Sequence, residues 1–463
     1  MKKGCMSSTM KLAESFLLTK NSRSLLRPLE FSTQSSGNNI ESRISWRAWT
    51  SVKNDHGKQQ QQQQQHMQPP SGTVAAYSAQ SEEQPQQQEE EKTADEQKTK
   101  AREIVVEIPV DYDLHLLESA PSRSSVTNSE DLMSIYQEMS VIRRMEITAD
   151  MLFKSQQIRG FCHLYDGQEA VCVGMEKALN FDDSVVTAYR DHGIFIGRGG
   201  TVFEAFSELM GKRTGCANGK GGSMHLYKRE NNFWGGWGIV GTSPPLGTGL
   251  AFAHKYLKKP NVVVAIYGDG AANQGQLYEA QNLAALWELP IIFLIENNHF
   301  GMGTAEWRAS KKPAYYDRIS YIPGIKADGM DVFAIKEAFQ YCKEYCLGGK
   351  GPIMLEADTY RYHGHSMSDP GSTYRTRNEI QGIRRERDPI EHVRKIILQE
   401  EIATKEELKD LDKQIRREVE DAAAKAREAE QPRDDELFAN IYKKDSGLIA
   451  YGCDRKKTRI QMP

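Results

Sequence analysis

Apolar positions in this chain follow two rhythms, and one stretch shows both. Val262–Tyr267 is an uninterrupted apolar, mostly β-branched run, the pattern of a strand covered on both faces in a parallel sheet. Gly268-Asp269-Gly270 breaks it with a tight turn. From Gln276 to Glu288, Leu277, Ala280, Leu283, Ala284 and Trp287 recur at helical spacing, and Pro290 ends the helix. Ile291–Ile295 is a second buried strand, closed by Glu296-Asn297-Asn298. The unit is strand–helix–strand, a right-handed crossover between parallel strands.

The same reading extends along the chain. Ile104, Val106 and Ile108 alternate as an edge strand does. Asp131–Lys154 is an amphipathic helix with Leu132, Ile135, Met139, Ile142, Met145 and Met151 on its buried side. A turn from Arg159 to Ala170 leads into an apolar helix ending at Leu179, and Val185–Tyr189 is a short strand. Asn231–Gly249 is glycine-punctuated and loop-like ahead of a Leu250–Leu257 helix. Ile353–Thr359 is another strand, followed by a loop and helices with no second sheet. Thr404 and Glu407 form a capping box for a helix striped by Leu408, Leu411, Ile415 and Val419. That stripe reads as packing or a subunit contact. Strands alternating with helices define an α/β fold, a mainly parallel sheet flanked by helices.

The topology places Asp269 and Asn298 together. Each follows the carboxyl end of its strand, where open α/β sheets bind ligands. Neighbouring strands lie about 4.8 Å apart, and two oxygens on one Mg²⁺ lie no more than roughly 4.2 Å apart. A carboxylate and an amide oxygen from adjacent strand ends meet that limit. Mg²⁺ keeps positions for phosphate oxygens, and the glycines let backbone N–H groups approach them. The bland alternative is a turn with a solvated Asp. A dinucleotide-binding oxidoreductase needs G-x-G-x-x-G, but the third glycine position is Asn273. A nucleotidase-type phosphate loop needs a Gly-Lys-Ser/Thr ending, which is absent. GDG followed by a helix and then Asn-Asn resembles the signature of enzymes that bind thiamine diphosphate, the remaining reading.

Other chemistry clusters near strand ends. Arg190 follows a strand and suits bidentate phosphate contact, with a surface ion pair to Asp191 as the alternative. His163 sits in a turn between glycines, a position open to a structural or a site role. Gly215–Gly222 reads as a phosphate nest or a mobile lid. Gly238-Ile239-Val240-Gly241 suits one face of a flat heteroaromatic ring, or is a plain loop. His363 and His365 follow a sheet strand on the ligand side. Ser366 to Thr373 is expected to be exposed and mobile.

Composition bounds the answer. The 463 residues carry a net charge of −3, which gives no support to a nucleic-acid partner. No apolar run is long enough to span a membrane. Seven scattered cysteines, without a C-x-x-C pair, match a reduced compartment. Residues 1–50 are basic and serine-rich, fitting either a mitochondrial transit peptide or a basic disordered tail. Residues 51–102, with the Gln59–Gln65 tract, read as a disordered linker. Residues 103–400 form the cofactor-binding α/β domain, and 401–463 a C-terminal helix and tail ending in a solvated Arg455-Lys456-Lys457 stretch.

The GDG–helix–NN unit, RGFCHLYDGQEA, YRDHG, GKGGSMH, GIVG and YRYHGHSMSDPG occur together and in order. From about residue 103 to past 430, the chain resembles the α subunits of pyruvate dehydrogenase E1 components. The resemblance implies a thiamine-diphosphate-binding fold, a mitochondrial-matrix location and oxidative decarboxylation of pyruvate. The acetyl group would pass to the lipoyl group of the E2 component. It implies Mg²⁺ on the side chains of Asp269 and Asn298 and the carbonyl of Phe300, where the family usually has tyrosine. Tyr189 and Arg190 would hold the diphosphate, with Gly270 and Ala271 giving backbone contacts. Gly238 and Val240 would face the aminopyrimidine, and His163 and His365 would line the reaction site. A separate β subunit would complete the site in an α2β2 heterotetramer. A kinase and a phosphatase would act on Ser366 and Thr373, while Ala305 stands at a third family site. Trp237 and Trp307 replace smaller or polar residues common in the family. A non-enzymatic alternative is a scaffold or regulatory paralogue that pairs with the β subunit.

Overall fold

The computed structural model describes residues 102–434, 436, 439–441, 447–451 and 459–461. The transit-peptide reading of 1–50, nearly all of the glutamine-rich segment and the Arg455-Lys456-Lys457 stretch lie outside the described residues.

Seven strands form one sheet. Ser184–Ala188 (β4), Phe233–Trp237 (β5), Val263–Gly268 (β6), Ile291–Asn297 (β7), Gly324–Asp328 (β10) and Ile353–Asp358 (β11) run parallel. Asp113–His115 (β2) joins one edge antiparallel. The order is β2-β10-β11-β7-β6-β4-β5. Among the described residues, Ile104–Glu107 (β1) pairs only with Ser124–Thr127 (β3), in a separate two-stranded ribbon. Two short pairs, Phe300–Gly301 with Thr304–Ala305 (β8, β9) and Ile449–Tyr451 with Arg459–Gln461 (β12, β13), complete the strands among the described residues.

The apolar runs in β6 and β7 split residue by residue between two cores, as alternating side chains must when both faces are covered. Val264 and Ile266 of β6, with Ile292 and Leu294 of β7, face one core. Helices Ser129–Lys154 (α1), Glu169–Ala178 (α2), His192–Gly197 (α3), Val202–Leu209 (α4), Val332–Tyr345 (α8), Pro389–Gln399 (α10) and Lys405–Glu428 (α11) contribute to it. Val263, Ala265 and Tyr267, with Ile291, Phe293 and Ile295, face the other, against Ser243–Tyr256 (α5) and Gly275–Leu286 (α6).

Two expectations are corrected, and one open choice is decided. Met151 is exposed, because Ala149 and Leu152 continue the buried stripe of α1 and Met151 is turned off it. Asn231–Gly249 is not one loop. Its first part is edge strand β5, whose Gly236 is required because a Cβ there would lie 2.0 Å from Asp191 Oδ2. Its last part opens α5, which starts at Ser243 with prolines in the first turn, where a missing N–H costs nothing. The stripe of α11 packs within the chain: Leu408, Ile415 and Val419 are buried in the first core. The capping box of Thr404 and Glu407 is present. Among the described residues only the short β12–β13 pair follows β11, and no second parallel sheet.

Candidate active site

The carboxyl ends of β4, β6, β7 and β11 converge on a cleft of about 280 Å³. It is lined by Tyr189, Arg190, Val240, Asp269, Gly270, Ala271, Asn298, Phe300, Arg361 and His365, among others. Of the residues expected from the sequence, Gly238 and His163 are outside this lining. His163 stands directly behind it: its ring lies 4.4 Å from the Tyr189 ring and 5.4 Å from the His365 ring. A larger cleft, about 540 Å³, opens beside Glu138, Glu176 and Phe181. It holds none of the strand-end chemistry, so the smaller cleft is the better candidate.

Asp269 is buried at the end of β6, and burial raises its pKa to about 6 against the lowering effect of Arg361. The next strand supplies the other oxygens. Asn298 Oδ1 accepts from Arg361 Nη1 at 2.6 Å, and the Phe300 carbonyl accepts from the same nitrogen at 3.0 Å. Two oxygens thus converge on one cationic atom beside a desolvated carboxylate. Asn298 Nδ2 is turned away by Gln168 Oε1, at 3.0 Å, which keeps Oδ1 toward the cleft. An oxygen-only set of carboxylate, amide and carbonyl fits a hard cation such as Mg²⁺. Among the described residues, no group of three His, Cys, Asp or Glu forms a metal cluster.

Arg361 has no role in the sequence analysis, yet it is fully buried, and its Nη2 has no hydrogen-bond partner among the described residues. Burial and the nearby Arg190 and Arg375 lower its pKa to about 10. Its position just past the end of β11 is the same signal that singled out Arg190. Arg190 itself is buried rather than paired with Asp191 on the surface. It donates to the Leu164 carbonyl at 2.6 Å and the His365 carbonyl at 2.9 Å, tying the two histidine loops together.

Both histidines are neutral near pH 7. Burial, then the charge of Arg190, lowers the pKa of His163 to about 2 and that of His365 to about 3. His365 Nδ1 accepts from the Met302 N–H at 3.3 Å, so its proton resides on Nε2. His163 Nδ1 is buried without a hydrogen-bond partner among the described residues. The loop behind His365 is ordered by Asp369, which accepts from the His365 N–H at 2.8 Å, the Gly371 N–H at 3.0 Å and the Tyr374 hydroxyl. Met367 N–H bonds the Cys162 carbonyl at 2.8 Å. Ser366 is therefore buried, contrary to the exposed loop expected, whereas Ser372 and Thr373 are exposed.

The glycine-rich segment Gly215–Gly222 is neither an open phosphate nest nor a lid in this structure. Its N–H groups are turned inward on the buried Glu208 carboxylate. Ala217, Gly219, Gly221 and Gly222 donate to it at 2.8, 2.9, 2.7 and 3.2 Å. At the GIVG turn, the Val240 carbonyl accepts from Gln276 Nε2 at 3.2 Å, and Ile239 is exposed. Trp237 packs edge-on to Tyr227, and Trp307 is exposed on the short helix Glu306–Ala309 (α7).

Residues 137–434 match the family model described as the dehydrogenase E1 component. The chain belongs to this family, whose members are thiamine-diphosphate-dependent. Within it the chain groups with the α subunits of pyruvate dehydrogenase. It is 57% identical, over 79% of its length and 93% of the relative's, to "Pyruvate dehydrogenase E1 component subunit alpha-1, mitochondrial" of Arabidopsis thaliana. It is 60% identical to the mitochondrial E1 α subunit of Solanum tuberosum, over 78% of this chain and 92% of that one. The corresponding protein of Sminthopsis macroura is 52% identical, over 74% and 94%.

Proposed function

We propose that this chain binds Mg²⁺ and thiamine diphosphate in the strand-end cleft and, with a β subunit, carries out oxidative decarboxylation of pyruvate in the mitochondrial matrix. The observation that carries the site is the convergence of Asn298 Oδ1 and the Phe300 carbonyl on one cationic nitrogen beside buried Asp269. Those three groups would hold the cation. Tyr189 and Arg190 would meet the diphosphate, helped by the backbone at Gly270 and Ala271, and Gly238 and Val240 would face the aminopyrimidine. When bound, the cofactor supplies the electron sink for decarboxylation.

The chain's own residues do the rest. His365 offers a hydrogen-bond donor at Nε2, and His163 an uncharged ring behind it that packs against Tyr189. Arg190 keeps both loops in place through their carbonyls. The site is one-sided. Ile239 and Val240 are exposed beside it, and Phe252, Tyr256, Leu286 and Trp287 continue an exposed apolar face along α5 and α6. A β subunit in an α2β2 assembly would complete the cleft, with the lipoyl domain of E2 as acceptor. Ser366 and Thr373 would be the sites of a regulatory kinase and phosphatase.

The test is turnover of pyruvate and of 2-oxobutyrate by the chain co-expressed with a β subunit, with and without thiamine diphosphate and Mg²⁺. Cofactor-dependent turnover favouring pyruvate is expected. A stable complex that binds cofactor but turns nothing over would favour the scaffold reading instead.

A further inference from the structure

The cation site depends on a turn with unusual backbone. Between Asn298 and Phe300 lies His299, at φ 68°, in the left-handed region that non-glycine residues rarely occupy. Its side chain is gripped from both sides. Nδ1 lies 2.8 Å from Glu306 Oε1 and Nε2 lies 3.0 Å from Asp358 Oδ1. The backbone is gripped too: the His299 N–H donates to Asn297 Oδ1 at 3.1 Å, and its carbonyl accepts from the Glu306 N–H at 3.0 Å. Asn297 Nδ2 reaches Glu306 Oε2 and Glu356 Oε1, both at 2.8 Å. Asp358 is braced by Lys326 at 2.9 Å.

This bracing matters because of what flanks it. A left-handed residue reverses the chain locally, so the side chain before it and the carbonyl after it can point to the same spot. That is the observed relation of Asn298 Oδ1 and the Phe300 carbonyl, which share Arg361 Nη1. We propose that His299 is a positioning residue for the cation: clamped between Glu306 and Asp358, it holds the turn that aims both oxygens at one point. The inference rests on the cation site described above.

The test measures cation binding, not turnover. Mn²⁺, followed by the electron paramagnetic resonance signal of the free ion, is titrated into the chain assembled with its β subunit, at fixed thiamine diphosphate. Parent, His299→Asn, His299→Arg and Asp269→Asn are compared. Asparagine tolerates the left-handed backbone but cannot bridge the two carboxylates, so His299→Asn should weaken Mn²⁺ binding by about 10- to 100-fold, the usual cost of losing a group that orients metal ligands. His299→Arg restores hydrogen-bond donors toward both carboxylates and should recover most of the loss. Melting of the cation-free complex checks that each variant folds and assembles. Parental affinity in His299→Asn, with binding lost in Asp269→Asn, would overturn the inference and leave the site standing. Parental affinity in Asp269→Asn would overturn the site itself. Should His299→Asn not assemble, Glu306→Ala removes one arm of the clamp: weakened binding supports the inference, and unchanged binding counts against it.

Discussion

Asp269 and Asp191 are both buried carboxyl groups, and their surroundings give them opposite uses. Asp269 is raised only to about 6 and faces the cleft beside acceptor oxygens. Asp269→Ala should abolish Mg²⁺-dependent binding of thiamine diphosphate. It should leave the melting temperature unchanged or higher, since a desolvated charge is removed from a functional site. Calorimetric titration and a thermal melt check both. Asp191 accepts from the Leu226 N–H at 2.9 Å, while its Oδ1 has no hydrogen-bond partner among the described residues. Burial pushes its pKa up from 3.8 to about 8. Between those values the folded chain keeps a proton that the unfolded chain has lost, so this group's contribution to stability declines as pH rises through that window. Asp191→Asn keeps an acceptor and carries no such proton. Its melting temperature should fall less than the parent's between pH 5 and pH 9; parallel curves would contradict the assignment.

Elements were legible where periodicity was strong. β6, α6 and β7 match the apolar runs closely, because a strand covered on both faces tolerates almost no polar residue. β5 was hidden by Gly235 and Gly236, which serve close packing against Tyr227 and Asp191 rather than strand propensity. The Gly215–Gly222 segment shows the same limit. Glycines permit a nest, but only the fold could reveal that Glu208, on a neighbouring helix, fills it. Glu208→Gln replaces an acceptor oxygen with an amide donor aimed at backbone N–H groups. It should cost about 2–3 kcal/mol, the penalty for unpaired buried donors that had bonded a charge, measurable by urea denaturation.

For the whole molecule, the decisive features are the one-sided cleft and the loop that closes over its rim. Ser366 is buried in that loop, next to His365 and beneath bonds from Met367 and Asp369. A negative charge there cannot be accommodated without opening the loop. Ser366→Glu should lower turnover of the assembled enzyme by about 100-fold, the scale of a small displacement of reacting groups. Thr373→Glu, at an exposed position, should change it far less. Steady-state assays of the two variants with a β subunit decide this, and equal losses would refute the role given to burial.

The sequence by itself determined the central crossover, because two apolar runs around a helical stripe admit one arrangement, and with it the meeting of Asp269 and Asn298. It also determined the order of motifs that identifies the family. Tertiary structure decided what spacing cannot encode. Arg361, His299 and Gln168 act on Asn298 and Phe300 from other elements or through backbone geometry. Ser366 is buried because Cys162 and Asp369, distant or across the loop, hold it there. Such roles depend on contacts between residues far apart in the chain, and on a backbone conformation that residue type allows but does not dictate.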